Sequence, residues 1–143
     1  RSSSHEFVER YINKLMRTGP YTGKKQGAMK AFEAALDAIA AKSGDNPLQV
    51  FVDAICNGAP MEEITRIKFG AVSQPKAVDS SPSRRLDVAL RNLAKGAQQG
   101  THKSKRTLTN CIINELSKAA AGDATSFAVA KKEELERIAS SAR

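Results

Sequence analysis

The chain has 143 residues, of which 41% are hydrophobic and 27% are charged, which suits one globular domain with a modest core. It has no tryptophan and only 5% aromatic residues, so the core must consist mainly of leucine, isoleucine, valine and alanine. Its formal net charge is +8, and its apolar runs fall short of the about 20 residues that a membrane-spanning helix requires, so the sequence excludes such a span.

Three helices are predicted in the N-terminal part of the chain. Apolar residues recur there at helical spacing, over residues 4–17, 24–42 and 47–57. Gly44 suits the C-terminal cap of the second helix, and Pro47 suits the first turn of the third.

The hydrophobic period then changes from helical spacing to strict alternation. Alternating runs at 64–69 and 72–78, separated by a turn at Gly70, predict a β-hairpin over about 62–79. Pro75 has no backbone N–H, so it belongs on an edge strand or at a bulge. A lone two-stranded hairpin is marginally stable in water, so we expect this one to need a partner.

A fourth helix is predicted over residues 82–98. It is preceded by two serines, of which Ser81 can cap the helix, and Pro82 suits its first turn. At 3.6 residues per turn, Arg84, Arg91 and Lys95 fall nearly opposite the apolar stripe of this helix. We therefore expect an amphipathic helix with a basic outer face.

Two more helices are predicted after a basic loop, the fifth ending at Gly122 and the sixth covering residues 124–141. The predicted fold is mainly α: a single domain over residues 1–143, with about six helices and one inserted, protruding β-hairpin. Cys56 and Cys111 lie in apolar helical patterns, and two cysteines offer neither a disulfide framework nor a zinc spacing. We expect both thiols to be buried, in a reducing compartment, and we predict no metal or other cofactor.

All of the excess positive charge lies in the middle third of the chain. Residues 64–110 contain ten lysines or arginines and two aspartates, whereas the rest of the chain has 13 basic and 13 acidic residues. A solvated surface usually mixes both signs, and self-repulsion disfavours such a cluster unless counterions neutralise it. The middle third is therefore predicted to bind a polyanion.

The stretch GPYTGKK is similar to a phosphate-binding loop but does not match it. Gly19 and Gly23 are one residue too close together, and Lys25 stands where the loop needs a serine or threonine. Lys24 and Lys25 are instead candidate phosphate ligands at a helix N-terminus. The basic region also lacks a carboxylate cluster or a histidine–nucleophile pair, so we predict that the chain is not an enzyme.

Structured RNA is the polyanion that the sequence favours. Phe69 is the only aromatic residue in the basic third, so this region has almost no aromatic side chains on which single-stranded bases could stack. The sequence shows no helix-turn-helix, zinc-finger or RNP motif. RNA recognised by its shape and backbone fits best, and the alternative is an architectural protein that binds DNA or RNA generically through the basic helix 82–98.

Three long stretches carry a resemblance to a known family: NPLQVFVDAICNGAPMEEITRIKFG, AVDSSPSRRLDVALRNLAKGA and KKEELERIASSAR. They closely resemble the small-subunit ribosomal protein seven family in its archaeal and eukaryotic form, and the similarity extends from about Phe7 to Arg143. The resemblance implies a cytoplasmic protein of the small ribosomal subunit that binds and organises the ribosomal RNA of the subunit head. It also implies a hairpin near the exit-site tRNA and the mRNA path, and contacts with neighbouring head and platform proteins.

The family motifs single out particular residues. Arg66 and Lys68 match the TRIK strand, Arg84 and Arg85 match the SPxRR motif, and Arg91 matches the ALRN motif. Met61 departs from the family, whose members usually have arginine there. The loop Gly23-Lys24-Lys25 also matches the family's pattern. Together with the residues chosen by charge alone, the candidate RNA-binding residues are Lys24, Lys25, Arg66, Lys68, Lys76, Arg84, Arg85, Arg91, Lys95, Lys103, Lys105 and Arg106.

Overall fold

The computed structural model describes residues 3–17, 24–102 and 105–142. These ranges contain six helices and one antiparallel hairpin: α1 (Ser3–Leu15), α2 (Lys25–Ser43), α3 (Pro47–Gly58), β1 (Glu62–Phe69), β2 (Val72–Asp79), α4 (Pro82–Thr101), α5 (Leu108–Ala120) and α6 (Phe127–Ser141). The predicted mainly α fold with an inserted hairpin is confirmed, and the ends of the elements differ from prediction by at most three residues.

Polar side chains cap the N-terminal ends of four helices. The caps of α3, α4, α5 and α6 are Asn46, Ser81, Thr107 and Ser126, and each accepts a hydrogen bond from a nearby backbone N–H. At the C-terminal end of α2, Gly44 has φ of 76°, a left-handed conformation that glycine adopts without strain. The predicted helix boundaries at Gly44 and at Ser81 are therefore confirmed.

The core is centred on α5, which packs against α2, α3 and α4. Three buried aromatic rings from different helices meet beside it, with centroids 5.3–5.4 Å apart: Tyr11, Phe32 and Phe51. Two of the three ring pairs meet edge-on and the third is tilted, and edge-on contacts between aromatic rings stabilise a core beyond the area that they bury. Helix α4 continues three residues beyond its predicted end, because its glycines pack closely against α5 instead of ending the helix.

The prediction for the two cysteines is right for Cys111 and wrong for Cys56. Cys111 is buried on α5, whereas Cys56 is exposed on α3. The buried face of α3 contains Phe51, Ala54 and Ile55, and Cys56 lies one residue further around the helix, about 100° away from Ile55. Among the described residues, no three potential metal ligands lie together, and no helix is long and apolar enough to span a membrane.

Strands β1 and β2 pair in register from Glu62 opposite Asp79 to Phe69 opposite Val72, with Gly70 at the turn. Within the described residues this sheet has two strands, so both are edges and Pro75 is tolerated. The base of the hairpin packs against α6, where the backbone N–H of Met61 donates to Glu136 Oε2 at 2.8 Å. The sequence predicts that the hairpin needs a partner. At the base of the hairpin, that partner is α6 of the same chain.

Candidate nucleic-acid interface

Two of the candidate arginines hold the base of the hairpin to the start of α4. Arg84 Nε lies 3.1 Å and 3.2 Å from the two carboxylate oxygens of Glu63, which also accepts a hydrogen bond from Ser80 Oγ at 2.8 Å. Arg85 Nε donates to the carbonyl oxygen of Pro60 at 3.1 Å. A guanidinium has five N–H donors, so these contacts leave each arginine able to bind an anion as well. The arginines therefore fix the angle between the hairpin and α4.

The outer face of α4 is basic, as its sequence predicts. Leu90, Leu93 and Ala97 are buried on the inner side of the helix, whereas Arg91 and Lys95 are exposed. Neither Arg91 nor Lys95 forms an ion pair with a carboxylate of the described residues. Because the helix is anchored by its buried side, it presents both cations at a defined spacing.

Helix α1 and the residues just after it add cations to this surface that the charge count along the sequence missed. Lys14 and Arg17 line a groove of about 160 Å³ together with Arg91, Lys95 and Gln98 of α4. The end of α1 is held there by Gln98 Nε2, which donates to the carbonyl oxygen of Leu15 at 2.7 Å across 83 residues of sequence. A partial signal was present, because Arg10 and Lys14 are spaced by four residues and so share one face of α1.

One ion pair joins α1 to α4 beside this groove. Lys14 Nζ lies 2.9 Å from Asp87 Oδ1. The hydrogen bond from Lys14 lowers the pKa of Asp87 below its usual range, although partial burial opposes the shift, and the charges of Lys14, Arg91 and Arg10 contribute to the lowering. Asp87 is therefore ionised at neutral pH and neutralises Lys14, while the neighbouring cations stay in excess.

A wider groove of about 560 Å³ lies on the other side of the same two α4 cations, toward α6. Arg91 and Lys95 line it together with Phe127 and Lys131. Lys131 Nζ lies 5.6 Å from the centroid of the Phe127 ring and 3.8 Å from Glu134 Oε1. This groove therefore has charges of both signs and one aromatic wall.

The other candidates lie at several places around the domain. Lys24 and Lys25 stand at the start of α2, where Lys25 pairs with Glu9 of α1. Arg66 and Lys68 lie on β1, and Lys76 is exposed on β2. Lys105 and Arg106 are exposed just before α5, whereas Lys103 and most of the GPYTGKK stretch lie outside the described residues. The structure thus groups Arg84, Arg85, Arg91 and Lys95 on α4, with the hairpin cations on the adjoining strands.

A helical fold with such cations along α4 and the adjoining hairpin has the electrostatic character expected of the polyanion-binding class of proteins. Comparison with known proteins identifies the family: a model described as ribosomal protein S7p/S5e matches residues 1–143, so the chain belongs to this family of small-subunit ribosomal proteins. The predicted family and the location in the small ribosomal subunit are confirmed. This family is structural rather than enzymatic, which confirms that the chain is not an enzyme.

Individual relatives agree with the family assignment. The small ribosomal subunit protein uS7 of Thermoplasma volcanium is 55% identical over 136 residues, which are 95% of this chain and 74% of that protein. The protein of the same name from Archaeoglobus fulgidus is 53% identical over 95% of this chain and 70% of its own length. That of Methanothrix thermoacetophila is 47% identical over 100% of this chain and 77% of its own length.

Proposed function

We propose that this chain binds and organises the ribosomal RNA of the small-subunit head. The observation that carries the proposal is the exposed pair Arg91 and Lys95 on α4, neither of which forms an ion pair with a carboxylate of the described residues. Phosphate groups of RNA neutralise such cations and release condensed counterions, which is the main source of affinity in protein–RNA binding. The similarity to uS7 proteins supports ribosomal RNA as the partner.

The geometry of α4 favours folded RNA over an extended single strand. Its cations are carried on a helix anchored by Leu90 and Leu93, so the backbone positions that carry them are fixed. Cations on a fixed backbone favour an RNA whose phosphates already lie at matching positions, which is recognition by shape. The fixed junction of the hairpin with α4, through Glu63 and Arg84, adds a second contact element at a set angle.

The first test compares binding to a fragment of small-subunit head RNA with binding to duplex DNA of the same length, over a series of salt concentrations. Wild-type protein is expected to prefer the RNA at moderate salt. Arg91→Ala is expected to weaken RNA binding and to make the slope of log affinity against log salt shallower by about one, because one phosphate contact is lost. Fluorescence anisotropy of labelled RNA measures both quantities.

The matched control is Lys42→Ala, which removes one positive charge from the last turn of α2, outside the basic surface. It is expected to leave the salt slope nearly unchanged. Equal affinity of the wild type for RNA and for duplex DNA would contradict the proposal. It would favour the alternative, an architectural protein that binds nucleic acids generically through helix 82–98.

We further propose that the hairpin lies near the exit-site tRNA and the mRNA path, and that other faces of the domain contact neighbouring head and platform proteins. The support is the family resemblance together with the candidate cations Arg66, Lys68 and Lys76 on the two strands. A basic hairpin that extends from an anchored base suits contact with nucleic acid beyond the RNA that holds the core.

The position of the hairpin is tested by site-specific cross-linking. Lys76→Cys is labelled with a benzophenone and assembled into small subunits that carry mRNA and deacylated tRNA. Because Cys56 is exposed, it is first replaced with alanine so that it does not take the label. Cross-links from the hairpin to tRNA or mRNA are expected, and a label at Lys42→Cys should give none. Cross-links from the hairpin to ribosomal RNA and proteins alone would contradict this placement.

A further inference from the structure

The groove between α1 and α4 combines an excess of positive charge with a small volume. Four cations line it, and Lys14 is the one that forms an ion pair with a carboxylate, that of Asp87. Arg17, Arg91 and Lys95 have no such partner among the described residues. Three like charges around one groove repel each other, so an anion placed between them stabilises the arrangement.

The size of the groove limits the anion. Its volume of about 160 Å³ is below the roughly 300–1,000 Å³ of pockets that enclose organic ligands. The groove is therefore too small to enclose a whole nucleotide, whereas a phosphate group fits. The chemistry agrees, because the planar guanidinium of arginine grips a phosphate with two parallel hydrogen bonds and lysine adds a point charge.

The position of the groove indicates where the phosphate comes from. Arg91 and Lys95 line this groove and also the wider one toward α6, so both grooves belong to one continuous surface along α4. The carboxylate of Asp87 would repel a phosphate, but its bond with Lys14 neutralises it and also ties α1 to α4. An RNA strand that follows α4 can therefore place one backbone phosphate in the α1–α4 groove.

We propose that the α1–α4 groove binds a single backbone phosphate of the RNA, held jointly by Arg17, two residues beyond the end of α1, and Lys95 from α4. This inference rests on the proposed RNA-binding function and adds to it a specific subsite. It also assigns a binding role to Arg17, which lies far in sequence from the basic third of the chain.

The test is a double-mutant cycle with the full chain and the head RNA fragment. Arg17→Ala and Lys95→Ala are each expected to weaken binding several-fold and to make the salt slope shallower, whereas Lys42→Ala has little effect. If both side chains hold the same phosphate, the double variant is expected to bind scarcely more weakly than the weaker single variant. If the two side chains contact separate phosphates, the affinity of the double variant would fall by the product of the two single fold-losses, to within about twofold. That result would overturn the shared site.

The outcomes separate the two proposals. If the wild type does not prefer RNA over duplex DNA, the proposed function fails and the subsite fails with it. If the wild type prefers RNA but Arg17→Ala binds as tightly as Lys42→Ala, the subsite alone is wrong. Inorganic phosphate, compared with chloride at equal ionic strength, is expected to raise the melting temperature of the wild type more than that of Lys95→Ala, because an anion in the groove relieves the repulsion between its cations. An equal rise in both proteins would be the general stabilising effect of phosphate and would contradict a phosphate site in the groove. Thermal melts of all the variants check that each one is folded.

Discussion

Replacing Glu115 with alanine is expected to lower the free energy of unfolding by about 3–5 kcal/mol, because it removes the acceptor for three buried or half-buried donors. Glu115 lies on α5 and is only 6% exposed. Its Oε2 accepts from Ser126 Oγ at 2.7 Å and from the N–H of Ala128 at 3.1 Å, and its Oε1 accepts from the N–H of Phe127 at 3.2 Å. The carboxylate thus binds the start of α6.

The physical basis is the unsatisfied N-terminus of a helix. The first N–H groups of α6 have no acceptor within the helix, and they form the positive end of its dipole. A buried carboxylate there satisfies both needs at once, and each donor left without a partner costs about 1–3 kcal/mol. A loss of this size is a large part of the total stability of about 5–15 kcal/mol that is usual for a domain.

Urea denaturation followed by circular dichroism measures this effect. The control is Glu133→Ala, which removes a carboxylate from an exposed position on α6 and is expected to change stability by less than about 0.5 kcal/mol. If Glu115→Ala costs no more than that control, water has replaced the carboxylate and α6 does not depend on it. A full effect would also loosen the base of the hairpin, since Met61 donates to Glu136 of α6.

Gly96→Ala is expected to destabilise the protein by about 1–3 kcal/mol, although alanine in a helix interior is usually about 1 kcal/mol better than glycine. A Cβ atom at Gly96 would lie 2.6 Å from Cδ and Oε1 of Glu115 and 2.9 Å from Cβ of Phe127. Neither neighbour can yield easily, because Glu115 is held by three hydrogen bonds and Phe127 Cβ moves only with the start of α6. Overpacking therefore outweighs the gain in helix propensity.

The same denaturation experiment tests this expectation, with Gln99→Ala as an exposed control on α4. A stabilised Gly96→Ala variant would show that α5 and α6 move away from α4 without cost. Combining Gly96→Ala with Glu115→Ala gives a further check, because removing the carboxylate opens space for the new methyl group. The double variant is therefore expected to lose less stability than the two single variants together.

The local features of this fold are readable in the sequence because they depend on neighbours along the chain. Apolar residues at helical spacing mark the helices, and alternation at 64–69 marks the first strand of the hairpin. The cap before Pro82 and the left-handed Gly44 are determined by the chemistry of one or two residues. The basic outer face of α4 follows from the helical period, so Arg91 and Lys95 can be chosen from the sequence alone.

The tertiary structure alone decided which distant segments meet. Arg17 lies outside the basic third, in a part of the chain where charges cancel, and only the packing of α1 on α4 brings it beside Lys95. In the same way, Arg84 reaches Glu63 only because the chain returns through the hairpin. The role of Glu115 likewise depends on where α6 begins in space.

These three contacts have one physical reason in common. Hydrophobic periodicity determines which side of each helix is buried. However, many pairs of helices could bury those sides against each other, and the charges at the edge of each contact do not select one pair. The sequence by itself therefore determined the elements, their caps and the basic face of α4. Only the packing around α5 placed α1 beside the groove and Glu115 at the start of α6. Side-chain shape and buried hydrogen bonds select one arrangement only when all the helices are in place.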